Sequence, residues 1–243
     1  MKTLASIAIM LFCITTTVNA QTNKSLKGEE VTYTSAEGIP LKGYVAYNAK
    51  QKGKRPAIIV IHEWWGSNAY VRKRADMLAQ LGYIAFALDM YGEGKQAADP
   101  KQAGELAGQF YSNPDLARAR IQAAVIKLKE YPETDETNMA CIGYCFGGSM
   151  SLNAAKMGMD FKGVVSFHGG LAGVPAEEGV TKAKILVCHG GADKFISDAE
   201  LKNFRHNLDS VHADYKFISY PGAVHAFSNP EATALGKKFK IPI

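Results

Sequence analysis

The chain predicts an α/β domain built on a mostly parallel sheet with helices on both faces, and three observations carry that prediction. Short β-rich runs alternate with stretches of helical apolar spacing from end to end. Two of those runs are apolar throughout, the pattern of strands buried on both faces. The composition, 47% hydrophobic, 21% charged and 10% aromatic over 243 residues, suits one large core and excludes disorder, collagen and coiled coil.

The elements follow in order. Val31 to Thr34 and Leu41 to Tyr47, separated by Glu37-Gly38-Ile39-Pro40, read as an antiparallel hairpin at one edge. Ala57 to Ile61 and Tyr83 to Leu88 read as central strands. Between them, Ala69 to Leu81 carries helical spacing and stops at Gly82. Asp99-Pro100 and Asn113-Pro114 each set a capping side chain before a proline suited to the first helical position, so two helices begin there. The second keeps Ala117, Ile121, Ala124, Val125 and Leu128 on one face. Strands are expected over Met139 to Tyr144, Gly163 to Phe167, Ile185 to Cys188 and Tyr215 to Tyr220. Ser197-Asp198-Ala199-Glu200 is a capping box that opens the helix between the last two.

Met1 to Ala20 stands apart from this pattern. Lys2 is followed by an apolar run from Leu4 to Cys13 and by Val18-Asn19-Ala20 before Gln21, which fits a cleaved export signal. The run is too short for a stable membrane span. The expected product is periplasmic or secreted, with residues 21–243 forming a single domain and no stable membrane anchor. Net charge is +5, or +4 once Lys2 leaves with the leader, too thin a surplus to imply nucleic acid. Cys141, Cys145 and Cys188 then remain, an odd number that leaves at least one free thiol. Cys141 and Cys188 sit inside apolar runs and read as small buried hydrophobes. No metal site, nucleotide loop or other cofactor motif is visible, so none is expected.

Cys145 is a different case. Gly143-Tyr144-Cys145-Phe146-Gly147-Gly148 directly follows a predicted strand and opens a helix, which is the glycine-flanked nucleophile elbow with cysteine at its corner. The strand must turn abruptly into the helix, and only small neighbours let the two backbones approach. The thiol then projects at a helix N-terminus, whose positive end favours a thiolate.

A cysteine nucleophile needs a base, and the base needs a partner that fixes its tautomer. Ile185 to Cys188 runs into His189-Gly190-Gly191-Ala192-Asp193, and Tyr215 to Tyr220 runs into Pro221-Gly222-Ala223-Val224-His225. Asp193 and His225 are therefore expected at the strand ends where ligands collect in an open parallel sheet. Nucleophile, acid, histidine is the chain order of α/β-hydrolases. Asp198 is the rival acid, but the capping box assigns it to a helix start. His206 and His212 read as surface, and His168 and His189 as residues that only line the site. His62-Glu63-Trp64-Trp65-Gly66 ends a central strand. It lacks the second histidine of a zinc-binding His-Glu-x-x-His, and Glu63 there reads as a buried working carboxylate.

Together, His62-Glu63-Trp64-Trp65-Gly66, Gly143-Tyr144-Cys145-Phe146-Gly147-Gly148, His189-Gly190-Gly191-Ala192-Asp193 and His225-Ala226-Phe227 resemble the dienelactone hydrolase family of cysteine α/β-hydrolases, from about Val31 onward. The resemblance implies the α/β-hydrolase fold and a Cys145, His225, Asp193 triad. It implies that Glu63 helps deprotonate the thiol when substrate binds, and that the amides of Trp64 and Phe146 form the oxyanion hole. It also implies hydrolysis of small carboxylic esters or lactones through a thioester. Where members that open carboxylated lactones carry arginines, this chain has Gly92-Glu93-Gly94-Lys95 and Asn229. The expected substrate pocket comprises Trp65, Tyr91, Phe227 and Asn229. The chain runs only 18 residues past His225, so the last helix of such folds is expected to be short or missing. Two rival readings are a non-catalytic binder that holds a ligand in this aromatic mouth, and a peptidase of the same fold.

Overall fold

The computed structural model describes residues 25–243, and the expected leader at Met1 to Ala20 lies outside the described residues. The strands are β1 (Leu26–Thr34), β2 (Pro40–Asn48), β3 (Arg55–Ile61), β4 (Ile84–Ala87), β5 (Thr134–Tyr144), β6 (Gly163–Phe167), β7 (Lys184–Gly190) and β8 (Tyr215–Tyr220). The helices are α1 (Ala69–Gln80), α2 (Pro100–Ser112), α3 (Pro114–Lys129), α4 (Phe146–Lys156), α5 (Asp198–Ser210) and α6 (Ala232–Phe239). One sheet runs in the order β1-β2-β4-β3-β5-β6-β7-β8. β1, β2 and β4 pair antiparallel, and every neighbouring pair from β4 to β8 is parallel. This is the expected α/β-hydrolase arrangement.

Alternation along β3 shows why both faces are covered. Ala57, Ile59 and Ile61 pack into a core shared with Phe110 of α2, Ile121 and Leu128 of α3, Met150 of α4 and Phe204 of α5. Ile58 and Val60 point the other way, onto Val71, Ala75 and Ala79 of α1. Each fully buried aliphatic side chain of this kind contributes about 1.5 to 3 kcal/mol relative to exposure. Caps fix the helix starts: Asn68, Asp99, Asn113 and Ser197 each accept from amides of the first turn.

Three boundaries differ from the sequence expectation. β1 begins at Leu26 rather than Val31, because its polar first half pairs with β2 at the sheet edge, where no apolar run is needed. β5 begins at Thr134 rather than Met139: Pro56 pairs with Asp135 but Ala57 with Met139, so a bulge loops out the residues between. Finally, the last helix is short but not missing. α6 spans eight residues and ends on Lys240 in the left-handed conformation. Its Phe239 stacks on Trp65 with ring centroids 5.3 Å apart, and Trp65 is buried.

Candidate active site

β5 ends at Tyr144 and α4 begins at Phe146, so the whole turn falls on Cys145 (φ 52°, ψ −116°). Such positive φ is costly for a residue with a Cβ and persists only where the surroundings impose it. Here they do. A Cβ at Gly143 would overlap the carbonyl of Gly147, and a Cβ at Gly147 would overlap the carbonyls of Ile61 and His62. Glycine at both positions lets the helix start sit directly against the ends of β3 and β5. Cys145 is half-buried, while Cys141 and Cys188 are buried with thiols that burial pushes up from their ordinary pKa.

The amide of Cys145 donates to the Phe167 carbonyl at 3.0 Å and to Nδ1 of His168 at 3.1 Å. His168 Nε2 lies 2.7 Å from Ser228 Oγ, which in turn lies 3.0 Å from the Tyr70 hydroxyl. Accepting at Nδ1 makes His168 the neutral Nε2–H tautomer. Burial, followed by the charge of His225, lowers its pKa to about 3. His168 therefore does not line the cleft, as the sequence suggested, but ties the nucleophile turn to the loop behind His225. Its one sequence signal is a polar residue directly after an apolar strand. His189 likewise packs beside Phe217 rather than lining the cleft.

Beyond β7 and β8, the loops bring the acid and the histidine together. Asp193 Oδ2 is 2.8 Å from His225 Nδ1, and His225 Nε2 is 3.0 Å from Cys145 Sγ. The other Asp193 oxygen accepts from the Phe195 amide at 2.9 Å. Asp198 stays in the first turn of α5. Burial alone would raise the Asp193 pKa, but the hydrogen bond and charge of His225 outweigh it and hold the carboxyl below its ordinary value. Burial alone would lower the His225 pKa. The electrostatic pull of the Cys145 sulfur and the Asp193 hydrogen bond reverse that and lift it to about 10.

At the end of β3, Glu63 is 97% buried, since only 3% of it is exposed. Its Oε2 accepts from Asn229 Nδ2 at 2.8 Å, and Oε1 is buried with no partner among the described residues. Burial lifts the Glu63 pKa to about 7 against the opposing pull of Asn229. Beside it, His62 Nδ1 meets the Glu63 carbonyl at 2.5 Å, and the Gly66 amide donates to the same oxygen at 3.1 Å. A trans peptide sets N–H opposite C=O, so pinning that carbonyl fixes the direction of the Trp64 amide. Phe146 is the first helical residue, and its amide has no acceptor within the helix.

These groups open into a cleft of about 350 Å³, mostly apolar in its lining, which includes Glu63, Cys145 and His225. Of the expected pocket residues, Trp65 and Asn229 line it. Tyr91 and Phe227 do not, which corrects the sequence reading. The Tyr91 hydroxyl donates to the Trp64 carbonyl at 2.9 Å from beneath the wall, and Phe227 packs between His168 and Tyr220. Tyr111, Phe195, Glu200, Leu235 and Ile243 also line it. They come from α2, α5, α6 and the segments flanking the last two, which no local motif brings together. Among the described residues, no three metal-binding side chains are grouped, and no helix is long and apolar enough to cross a membrane.

Comparison with known proteins identifies the family. Protein usf of Aquifex pyrophilus is 33% identical over 199 residues, covering 79% of this chain and 84% of its own. A relative in Aquifex aeolicus, named provisionally as a carboxymethylenebutenolidase, is 30% identical over 199 residues, with the same coverage of each chain. Among solved structures, a dienelactone hydrolase-like promiscuous phosphotriesterase from metagenomic libraries superposes with a TM-score of 0.82 at 31% identity, covering 87% of this chain and 88% of that one. The model of the dienelactone hydrolase family matches residues 41–239. That span runs from β2 through α6 and includes every residue of the cleft except Ile243, so this chain belongs to the dienelactone hydrolase family of hydrolases.

Proposed function

We propose that the protein hydrolyses small carboxylic esters or lactones through a thioester on Cys145. The observation that carries this reading is the continuous chain from Cys145 Sγ to His225 at 3.0 Å and from His225 to Asp193 at 2.8 Å, opening into an apolar cleft. The proton of the thiol resides on His225 in the reactive pair. Sulfur attacks the substrate carbonyl carbon, and its oxygen takes up negative charge facing the amides of Trp64 and Phe146. Each such donor lowers the barrier by about 3 to 4 kcal/mol. Collapse of this intermediate expels the alkoxide, which takes the proton from His225 and leaves the thioester. His225 then removes a proton from water, whose oxygen attacks the thioester, and the acid departs as the thiolate returns. Asp193 holds the imidazole in the needed tautomer and stabilises its charged form.

Glu63 is the alternative acceptor of the single thiol proton, in place of His225, when an arriving substrate disturbs its bond to Asn229. Its half-satisfied carboxyl and its pKa of about 7 support that role. Unactivated amides are expected to be poor substrates, because a thiolate leaves the tetrahedral intermediate more readily than an amide anion. Export before action is part of the proposal and rests on the leader at Met1 to Ala20. Cell fractionation tests it, and retention of the uncleaved chain in the cytoplasm would oppose it. The chemistry is tested with p-nitrophenyl acetate. Wild type should turn over with an acyl-enzyme mass that maps to Cys145, and Cys145→Ala should show neither; equal rates in the two proteins would reject the assignment.

A further inference from the structure

Apart from His225, which is paired with Cys145 and Asp193, the charged side chains of the cleft are acidic. Glu63 and Glu200 both line it, with Trp64, Trp65, Tyr111 and Phe195, and none of its lining residues is Lys or Arg. Glu200 reaches this position by abandoning the task its sequence motif suggests. In a full capping box the third helical residue bonds back to the amide of the cap. Ser197 keeps its half of the exchange, accepting from the Glu200 amide at 3.2 Å. The Glu200 carboxylate instead turns away, and its Oε1 accepts from the amides of Leu171 at 2.8 Å and Ala172 at 3.0 Å. Those two bonds fix the acid beside Gly170 on the cleft wall.

A half-buried negative group fixed on a mostly apolar wall acts on any charge that a substrate brings there, and does so more strongly than it would in bulk water. A carboxylate on the acyl chain meets repulsion with no Lys or Arg to offset it, since the one cation of the lining, His225, is already paired with Asp193 and Cys145. An ammonium group meets attraction from the acid and from the aromatic faces around it. We propose that Glu200 sorts substrates by charge, so that the cleft prefers esters with ammonium-bearing acyl chains to uncharged ones, and uncharged ones to carboxylated ones. This selection rests on the ester hydrolysis proposed above.

Three p-nitrophenyl esters of matched chain length test the order: the hemiadipate, the 6-methylheptanoate and the 5-(trimethylammonio)pentanoate. In wild type, kcat/KM should rise along that series, by about tenfold or more from the carboxylated to the uncharged member. Glu200→Gln keeps the oxygen that accepts from Leu171 and Ala172, and it should compress that ratio at least about threefold. Where the variant fails to fold, the wild-type ratio measured between low salt and about 0.5 M NaCl gives the same answer, because screening should compress it too. Equal rates across the three esters, a preference for the hemiadipate, or a ratio insensitive to both the substitution and salt would overturn the inference while leaving ester hydrolysis intact. Hydrolysis of none of the three would overturn the ester reading itself, and the inference with it.

Discussion

Asp193 and Glu63 are two buried carboxylates at the C-terminal ends of parallel strands, β7 and β3, and both lie within electrostatic reach of His225. Their surroundings drive them apart. Asp193 accepts from His225 and from the Phe195 amide, one bond to each oxygen, and is held below its ordinary pKa. Glu63 has one neutral donor, Asn229, and one oxygen with none, and is lifted to about 7. The contrast teaches that burial pushes both carboxyls up, and that the number and charge of the donors decide whether that push prevails. It yields one permanent anion that steadies His225 and one acid that can exchange a proton near neutrality.

The sharpest way to break the comparison is to neutralise the anion. Asp193→Asn should lower kcat toward p-nitrophenyl acetate by about 10³ to 10⁴, because an amide neither stabilises the imidazolium nor selects its tautomer. A loss under about tenfold would mean that Asp193 is interchangeable with any polar neighbour. Its stability effect has a definite sign as well. With a lowered folded pKa, the contribution of Asp193 is present above the unfolded value of 3.8 and is lost as pH falls through the folded one.

Glu63 should show the opposite sign. Its folded pKa of about 7 exceeds the unfolded 4.5, so the native state holds the proton more tightly. Stability should therefore decline as pH rises from about 4.5 to about 7 and then level off, by about 3 kcal/mol in all. Glu63→Gln keeps an acceptor for Asn229 and should remove that decline, leaving the variant more stable than wild type at pH 8 but less active. Urea denaturation of both proteins across this range measures it, and parallel stability curves would refute it.

The smallest effect sharpens the same contrast. Asn229→Ala removes the hydrogen bond that holds the Glu63 pKa down. It should move the upper end of the stability decline above pH 7 and cost about 1 to 2 kcal/mol at pH 8. The denaturation series that tests Glu63→Gln reads this shift, and an unmoved upper end would show that Asn229 does not set the proton affinity.

The sequence disclosed the parts of this site that are written locally. Cys145, Asp193, His225 and Glu63 each follow an apolar strand, and a parallel sheet delivers all its strand ends to one edge. It was silent where partners are distant. Glu200 reads as a cap in the sequence and becomes a cleft wall only because the segment after β6 folds against α5. His168 reads as lining, yet its two ring nitrogens are taken by Cys145 and by Ser228, 60 residues away. Tyr91 and Phe227 were placed in the pocket because they are aromatic and near the motifs in sequence, which says nothing about the direction in which a side chain leaves the backbone. β1 and β5 began earlier than expected because an edge strand and a bulge lack the continuous apolar run that marks a central strand.

The helix that was nearly discounted has its own consequence. Leu235 and Ile243 lie on the cleft and Phe239 stacks on Trp65, so part of the chamber around the thiol is furnished by α6 and the segment after it rather than by the sheet. Catalytic groups and gatekeeping surface thus sit on separable pieces of chain. Substitutions at Leu235 and Ile243 would reshape that wall without touching Cys145, Asp193 or His225.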